Sequence, residues 1–358
     1  MQMRYSVIIC THNRGDVLPR ALEAIGRLET PDGAVIELLV VDNASTDGTA
    51  DVVRTFAEKA PSEVRYIREP QLGHSFALNA GIAAARGDVI AFTDDDALPK
   101  PDWLRRIDAV LNGGGAHWAF GKVVPVWPSQ QPAWFSQELN RYFALLDYGP
   151  VPFVVTDRKH TFFGVNHACR RDALEALGGY RTDRGIYGGQ GMGLGVGNDV
   201  DLFERALDAG MKVVYDPAIE VGHIIPATRA SKAYNRRTVW INTRNFYQHL
   251  RNNPPAVPWL LGLPRYYYRL ALGRVFSYLK NILLRNHRAA FAHELELIRF
   301  AGLLRESWRF GPVRGGGGAP PAAINASDDE TGRAGVQAQR AGPLTARDEE
   351  TEIPLTAR

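Results

Sequence analysis

Three consecutive carboxylates, Asp94, Asp95 and Asp96, follow the apolar run Val89-Ile90-Ala91-Phe92. Adjacent like charges raise one another's proton affinity, so such a cluster is costly unless a cation or a donor-rich ligand answers it. A divalent metal carrying phosphate oxygens is a fitting answer. The same acids, standing before Pro99-Lys100-Pro101, also suit a solvated turn that caps the next helix. A second acidic group, Asn198-Asp199-Val200-Asp201, opens a run in which Leu202, Phe203, Ala206 and Leu207 recur at helical spacing. An acid in a first helical turn satisfies free amides and the helix dipole without further duty.

The elements around these acids alternate. Residues 5–10 read as a strand, and Val17, Leu18, Ala21, Leu22 and Ile25 mark one face of a helix after it. Residues 36–41 repeat the strand and 50–60 the helix; 64–67 is a shorter strand, 73–86 a helix closed by Gly87, and 89–92 the acid-tipped strand. Such alternation predicts a mainly parallel sheet with helices on both faces. The loops 11–14, 42–47 and 94–96 then share one sheet edge, where open α/β sheets bind ligands and where carboxylates hold ribose hydroxyls. No G-x-G-x-x-G follows the first strand, which argues against an NAD or FAD domain.

From about residue 112 the pattern changes to aromatic and proline-rich chain, as in loops that cover a cleft. Residues 162–166 read as a further strand and 171–177 as a helix. The stretch 185–197, with seven glycines, reads as a mobile loop over the site. After the helix that starts at Asn198, residues 211–215 and 218–221 read as two strands, the second ending at His223. A strand-end histidine of this kind commonly bonds nearby backbone.

Taken in order, Ser6-Val7-Ile8-Ile9-Cys10-Thr11-His12-Asn13-Arg14, Val40-Val41-Asp42-Asn43-Ala44-Ser45-Thr46-Asp47-Gly48-Thr49, Asn79-Ala80-Gly81-Ile82, Phe92-Thr93-Asp94-Asp95-Asp96 and Gly197-Asn198-Asp199-Val200-Asp201-Leu202 resemble the family-2 glycosyltransferases, an inverting group with the GT-A fold. The resemblance spans roughly residues 4–225. It implies a Rossmann-like α/β sheet and transfer of a sugar from a nucleoside-diphosphate sugar, by default a uridine one, to an acceptor hydroxyl in polysaccharide or glycoconjugate synthesis. It implies that Thr11, Asn13 and Arg14 line the base site and that Asp42 holds base or ribose. In the D-x-D pattern Asp96, with Asp94, is expected to bind Mn2+ or Mg2+, with Asp94 or Asp95 facing ribose and His223 near the metal. Asp199 stands where the family carries its catalytic base, with Asn198 in place of the usual Glu. Asn79, Asn166 and Asn198 complete the expected substrate-binding set, and Leu78 stands where many relatives carry a cation. Two rival readings share these residues: a metal-dependent nucleotidyltransferase, which would release pyrophosphate, and a glycan- or nucleotide-binding module without turnover.

Composition bounds the remainder. The 358 residues, 45% hydrophobic and 23% charged, suit a globular protein of more than one unit. The expected division is 1–111 for the nucleotide-sugar half, 112–230 for the acceptor and catalytic half, 231–310 for a helical extension and 311–358 for a disordered tail. The net +3 hides an asymmetry: residues 231–310 hold fourteen Lys/Arg against three Asp/Glu, while the first 230 residues carry a net −6. The basic stretch also holds Trp240, Trp259 and Tyr266-Tyr267-Tyr268, which suits contact with an anionic membrane surface, and equally a packing element or dimer face. Arg265, Arg269 and Lys280 share one helical face there, while Arg274 and Arg285 point nearly opposite. No base-reading module accompanies the charge, so nucleic acid is not an expected partner. A glycan or lipid-linked acceptor is. Two cysteines, no amino-terminal apolar signal and no long apolar run point to a cytoplasmic protein, peripheral on the cytoplasmic membrane face.

Overall fold

Strand and helix alternate through the first hundred residues of the computed structural model, which describes residues 2–182, 198–252, 254–311 and 352–355. The series runs β1 (Arg4–Thr11), α1 (Leu18–Ile25), β2 (Val35–Asp42), α2 (Thr49–Ala57), β3 (Glu63–Arg68), α3 (His74–Ala84) and β4 (Val89–Asp94). Both faces of β1 and β2 are buried, which is why these strands read as unbroken apolar runs. Leu18, Ala21, Leu22 and Ile25 give α1 its inward stripe. Gly81 in α3 is pressed against β1 and β2, since a Cβ there would meet Ile8 Cγ2 at 2.8 Å.

The chain continues through β5 (Ala97–Pro99), α4 (Trp103–Asp108), β6 (Trp118–Val126), β7 (Phe153–Val154), β8 (His167–Arg170), α5 (Arg171–Ala176), α6 (Asn198–Asp208) and β9 (Val213–Ile224). The strands form one sheet with the order β3-β2-β1-β4-β8-β6-β9-β5, and β7 also pairs with β9. Strands β1, β2, β3, β4, β6 and β9 share one direction, while β8, β5 and β7 oppose it. The segments 1–111 and 112–230 therefore share a single sheet, joined where β4 meets β8 and where β5 meets β9.

Three local readings need correction. Residues 162–166, expected as a strand, make a turn, because Asn166 is drawn sideways onto other backbone; the strand starts at His167. The two strands expected at 211–215 and 218–221 are one, since β9 crosses the Asp216-Pro217 step by shifting register against β6 between Gly121 and Val123. Asp95 and Asp96 lie in a two-residue turn between β4 and β5, and not before a helix.

Three helices extend the body: α7 (Lys232–Asn252), the hairpin β10 (Trp259–Leu260) and β11 (Leu263–Pro264), then α8 (Arg265–Leu283) and α9 (His287–Phe310). Tyr247, Leu250, Leu263 and Leu303 form their own small core. Phe291, Ala292 and Leu295 of α9 join the main core, with the Phe291 and Trp134 rings 5.0 Å apart. The glycine-rich stretch expected to form a loop at 185–197 lies outside the described residues. So does the expected disordered tail, save Gly311 and β12 (Glu352–Leu355), which pairs antiparallel with β3.

The register shift that carries β9 to the site depends on Gly121, where a Cβ would stand 1.9 Å from the Ile219 carbonyl oxygen. Gly121→Ala must push two strand backbones apart, and a stability loss of about 3 kcal/mol or more is expected in urea unfolding.

Candidate active site

Parallel pairing brings the polar strand ends together. Thr11 of β1 stands in register with Asp42 of β2, and Cys10 with Asp94 of β4. Asp42 is buried; its Oδ1 accepts the Ser45 amide at 2.7 Å and its Oδ2 the Tyr66 hydroxyl at 2.5 Å. Asn13, at φ 52°, knits the first loop to the second: its amide donates to Ser45 Oγ and its Oδ1 accepts the Thr46 amide. The base-site candidates thus form one stitched edge.

Asp95 accepts the Thr11 hydroxyl at 2.7 Å and the Arg14 Nε–H at 3.3 Å, and a second guanidinium nitrogen of Arg14 reaches Asp96. Antiparallel pairing of β5 with β9 sets Ala97 opposite His223, whose Nε2 lies 3.2 Å from Asp96 Oδ1. His223 Nδ1 lies 2.7 Å from the Phe143 carbonyl oxygen, which accepts only a proton, so Nε2 is the nitrogen turned to the acids.

Burial dominates the electrostatics. It raises Asp94 to about 6 and Asp95 to about 7, with Asp96's charge adding to both. Burial pushes Asp96 upward too, but the hydrogen bond and charge of His223, with Arg14, bring it below the ordinary carboxylate range. Burial opposes the charged form of His223, yet Asp96 lifts its affinity for a proton above the usual value. Arg229, from the loop after β9, contributes positive charge to Asp94 and Asp96. Sequence reasoning missed it, because no motif marks a lone arginine in a connecting loop.

Asp199 lies in the first turn of α6. Its Oδ2 accepts the Gly164 amide at 3.0 Å, while Oδ1 is buried with no hydrogen-bond partner among the described residues. Burial raises it to about 6, opposed by His74 and reinforced by the charge of Asp94. Asp94 and Asp199 therefore share one electrostatic neighbourhood. Gly164 leaves just enough room, since a Cβ there would sit 3.1 Å from both carboxylate oxygens. Asn198 accepts the Asp199 amide and donates to Ser75 Oγ at 3.3 Å, tying the start of α6 to the start of α3. That contact places His74, whose proton affinity burial lowers, near Asp199. His74 was also missed, because its neighbour lies more than a hundred positions away. Asp201 is held by Arg181 and Arg205.

Two expected ligand residues are spent on structure. Both ends of the Asn79 amide close on the Tyr180 backbone, at 2.8 and 2.9 Å. Asn166 accepts from the Trp103 indole and donates to the Lys122 and Ile219 carbonyls, which the β6/β9 register shift frees. With its hydrogen-bonding groups so committed, Asn166 braces the turn before β8. Leu78, at the position where a cation was missed, is buried in the core. Asn166→Ala would leave the buried Trp103 N–H and two carbonyls unpaired; a loss of about 2–4 kcal/mol is expected in urea unfolding, with donor affinity of the folded fraction unchanged in calorimetry.

Known proteins resemble the chain in sequence and in fold. Residues 6–178 match the glycosyl transferase family 2 profile. The succinoglycan biosynthesis protein ExoM of Rhizobium meliloti (strain 1021) is 26% identical over 66% of this chain and 70% of its own length. A glucosyl-dolichyl phosphate glucuronosyltransferase of Haloferax volcanii is 25% identical over 69% of this chain and 75% of its own. In fold, the mannosyltransferase PcManGT of Pyrobaculum calidifontis, solved with GDP-Man and Mn2+, superposes with a TM-score of 0.51 at 23% identity, covering 88% of this chain and 78% of that one. Residues 6–178, which carry the acid-tipped edge of the GT-A sheet, belong to glycosyl transferase family 2.

Proposed function

We propose that this glycosyltransferase inverts the anomeric centre in one displacement, moving a sugar from a nucleoside-diphosphate donor to an acceptor hydroxyl with Asp199 as general base. The observation that carries the reading is the Asp199 carboxylate itself: one oxygen fixed by Gly164, the other buried and without a partner among the described residues, in the field of Asp94. Asp199 accepts the proton of the acceptor hydroxyl as that oxygen attacks the anomeric carbon. The bond to the diphosphate breaks on the opposite side, and its electron pair leaves with the nucleoside diphosphate. General-base assistance of this kind is worth roughly a hundred- to ten-thousandfold in rate.

Thr11, Asn13 and Asp42 supply the edge on which a base and ribose rest. Uridine diphosphate is the expected carrier, on the family resemblance alone. The acid cluster suits a divalent cation, because Asp96 Oδ1 and His223 Nε2 stand 3.2 Å apart in the field of Asp94, where burial disfavours uncompensated negative charge. Among the described residues no three His, Cys, Asp or Glu side chains form a ready-made cage. Asp96 and His223, with Asp94, would hold Mn2+ or Mg2+, leaving coordination positions for substrate oxygens. Such a cation supplies Lewis acidity to the departing diphosphate. Arg14 now answers Asp95 and Asp96, and Arg229 adds positive charge where Leu78 offers none. Similarity to proteins named for succinoglycan synthesis and for a dolichyl phosphate substrate supports a glycan or lipid-linked acceptor in cell-surface polymer synthesis.

Asp199→Asn is expected to lower turnover a hundredfold or more while donor affinity, read by calorimetry, stays within about twofold. Equal turnover with the true acceptor sinks the assignment, and release of pyrophosphate instead of nucleoside diphosphate would mark a nucleotidyltransferase. Since the base must be ionised, kcat should fall about tenfold per pH unit below an apparent pKa near 6. Chelation should abolish turnover, and Mn2+ or Mg2+ should restore it in the wild type but far less in Asp96→Ala.

A further inference from the structure

Helix α8 is inverted relative to an ordinary packed helix: none of its nineteen residues is buried. Leu272, Val275, Phe276, Leu279 and Leu283 recur at helical spacing and make one stripe about 16 Å long. That stripe faces outward, with Leu272 62%, Phe276 73%, Leu279 57% and Leu283 83% exposed. The opposite face carries the packing, where Tyr267 joins the small helical core and Arg274 lies 3.3 Å from His293 of α9. The hairpin just before α8 adds a second apolar tip, Leu260 and Leu261, 45% and 63% exposed.

Arg265, Arg269 and Lys280 border the stripe, and α8 contains no acid. Where the stripe ends, a groove of about 440 Å3 opens between the α8–α9 turn and Trp134, lined by Lys232, Arg285, His287 and Arg288 with no carboxylate. We propose that this face lies on an anionic lipid surface: the stripe enters the headgroup layer, the bordering cations meet lipid phosphates, and the groove takes one such phosphate. Charge selects this occupant. A second copy docked on the same face about a two-fold axis would set cation against cation, with no acid on α8 to answer them. An anionic headgroup layer answers all of them. Among the described residues no helix is long and apolar enough to cross a membrane, so the contact lies along the surface.

Flotation of the full chain with vesicles tests the proposal without reference to sugar transfer. Binding to phosphatidylcholine vesicles containing a quarter phosphatidylglycerol is expected, at least tenfold stronger than to pure phosphatidylcholine and weakened by 0.5 M salt. Phe276→Ser/Leu279→Ser and, separately, Arg269→Gln/Lys280→Gln/Arg285→Gln should each weaken that binding at least tenfold, with unchanged circular dichroism. No binding at low salt, equal binding to both vesicle types, or wild-type binding by either variant overturns it. So does a wild-type dimer that ignores vesicles and that Phe276→Ser/Leu279→Ser makes monomeric.

Discussion

Removing carboxylates from water is costly, and this fold does so at both ends of one site. Asp94, Asp95 and Asp96 are carried into the protein on the end of a central strand, where neighbouring β1 and β9 and the helices leave little water. Arg14, Arg229 and His223 offset the cost in part, yet Asp94 and Asp95 still hold protons far more tightly than in water. The cluster is stable as a structure and short of positive charge. That imbalance is what a cation-bearing diphosphate substrate would relieve.

Asp199 meets the same constraint alone. Its backbone donor, Gly164, belongs to the turn before β8, and that turn exists because Asn166 is tied to the carbonyls released by the β6/β9 shift. The shift in turn needs Gly121. A chain of packing demands therefore runs from a strand irregularity to the carboxylate proposed as the general base. Asn198 and Ser75 close the circuit to α3.

The carboxyl-terminal helices obey different physics. Helix α9 is pinned to the body by Phe291 against Trp134 and by ion pairs of Glu294 with Arg236 and of Glu296 with Arg141. Helix α8 packs through the face that carries Tyr267 and Arg274 and leaves its most apolar stripe in water. Leaving that much apolar surface wet is unfavourable for an isolated chain.

Local patterns determined the alternating elements of the amino-terminal half, since an unbroken apolar run and a helical stripe are properties of neighbouring residues. They determined, too, that the acids end a strand, and the ordered motifs carried the family. Tertiary structure decided what spacing does not encode: that β8 reverses the sheet, that Asn79 and Asn166 serve the backbone, and that His74 and Arg229 reach the acids. Each of these depends on which distant segment fills a side chain's hydrogen-bonding capacity or lends it charge. The pairing of Asp96 with His223, 127 positions on, exists only because β5 and β9 run antiparallel with Ala97 opposite His223, a register that no local pattern in either segment specifies.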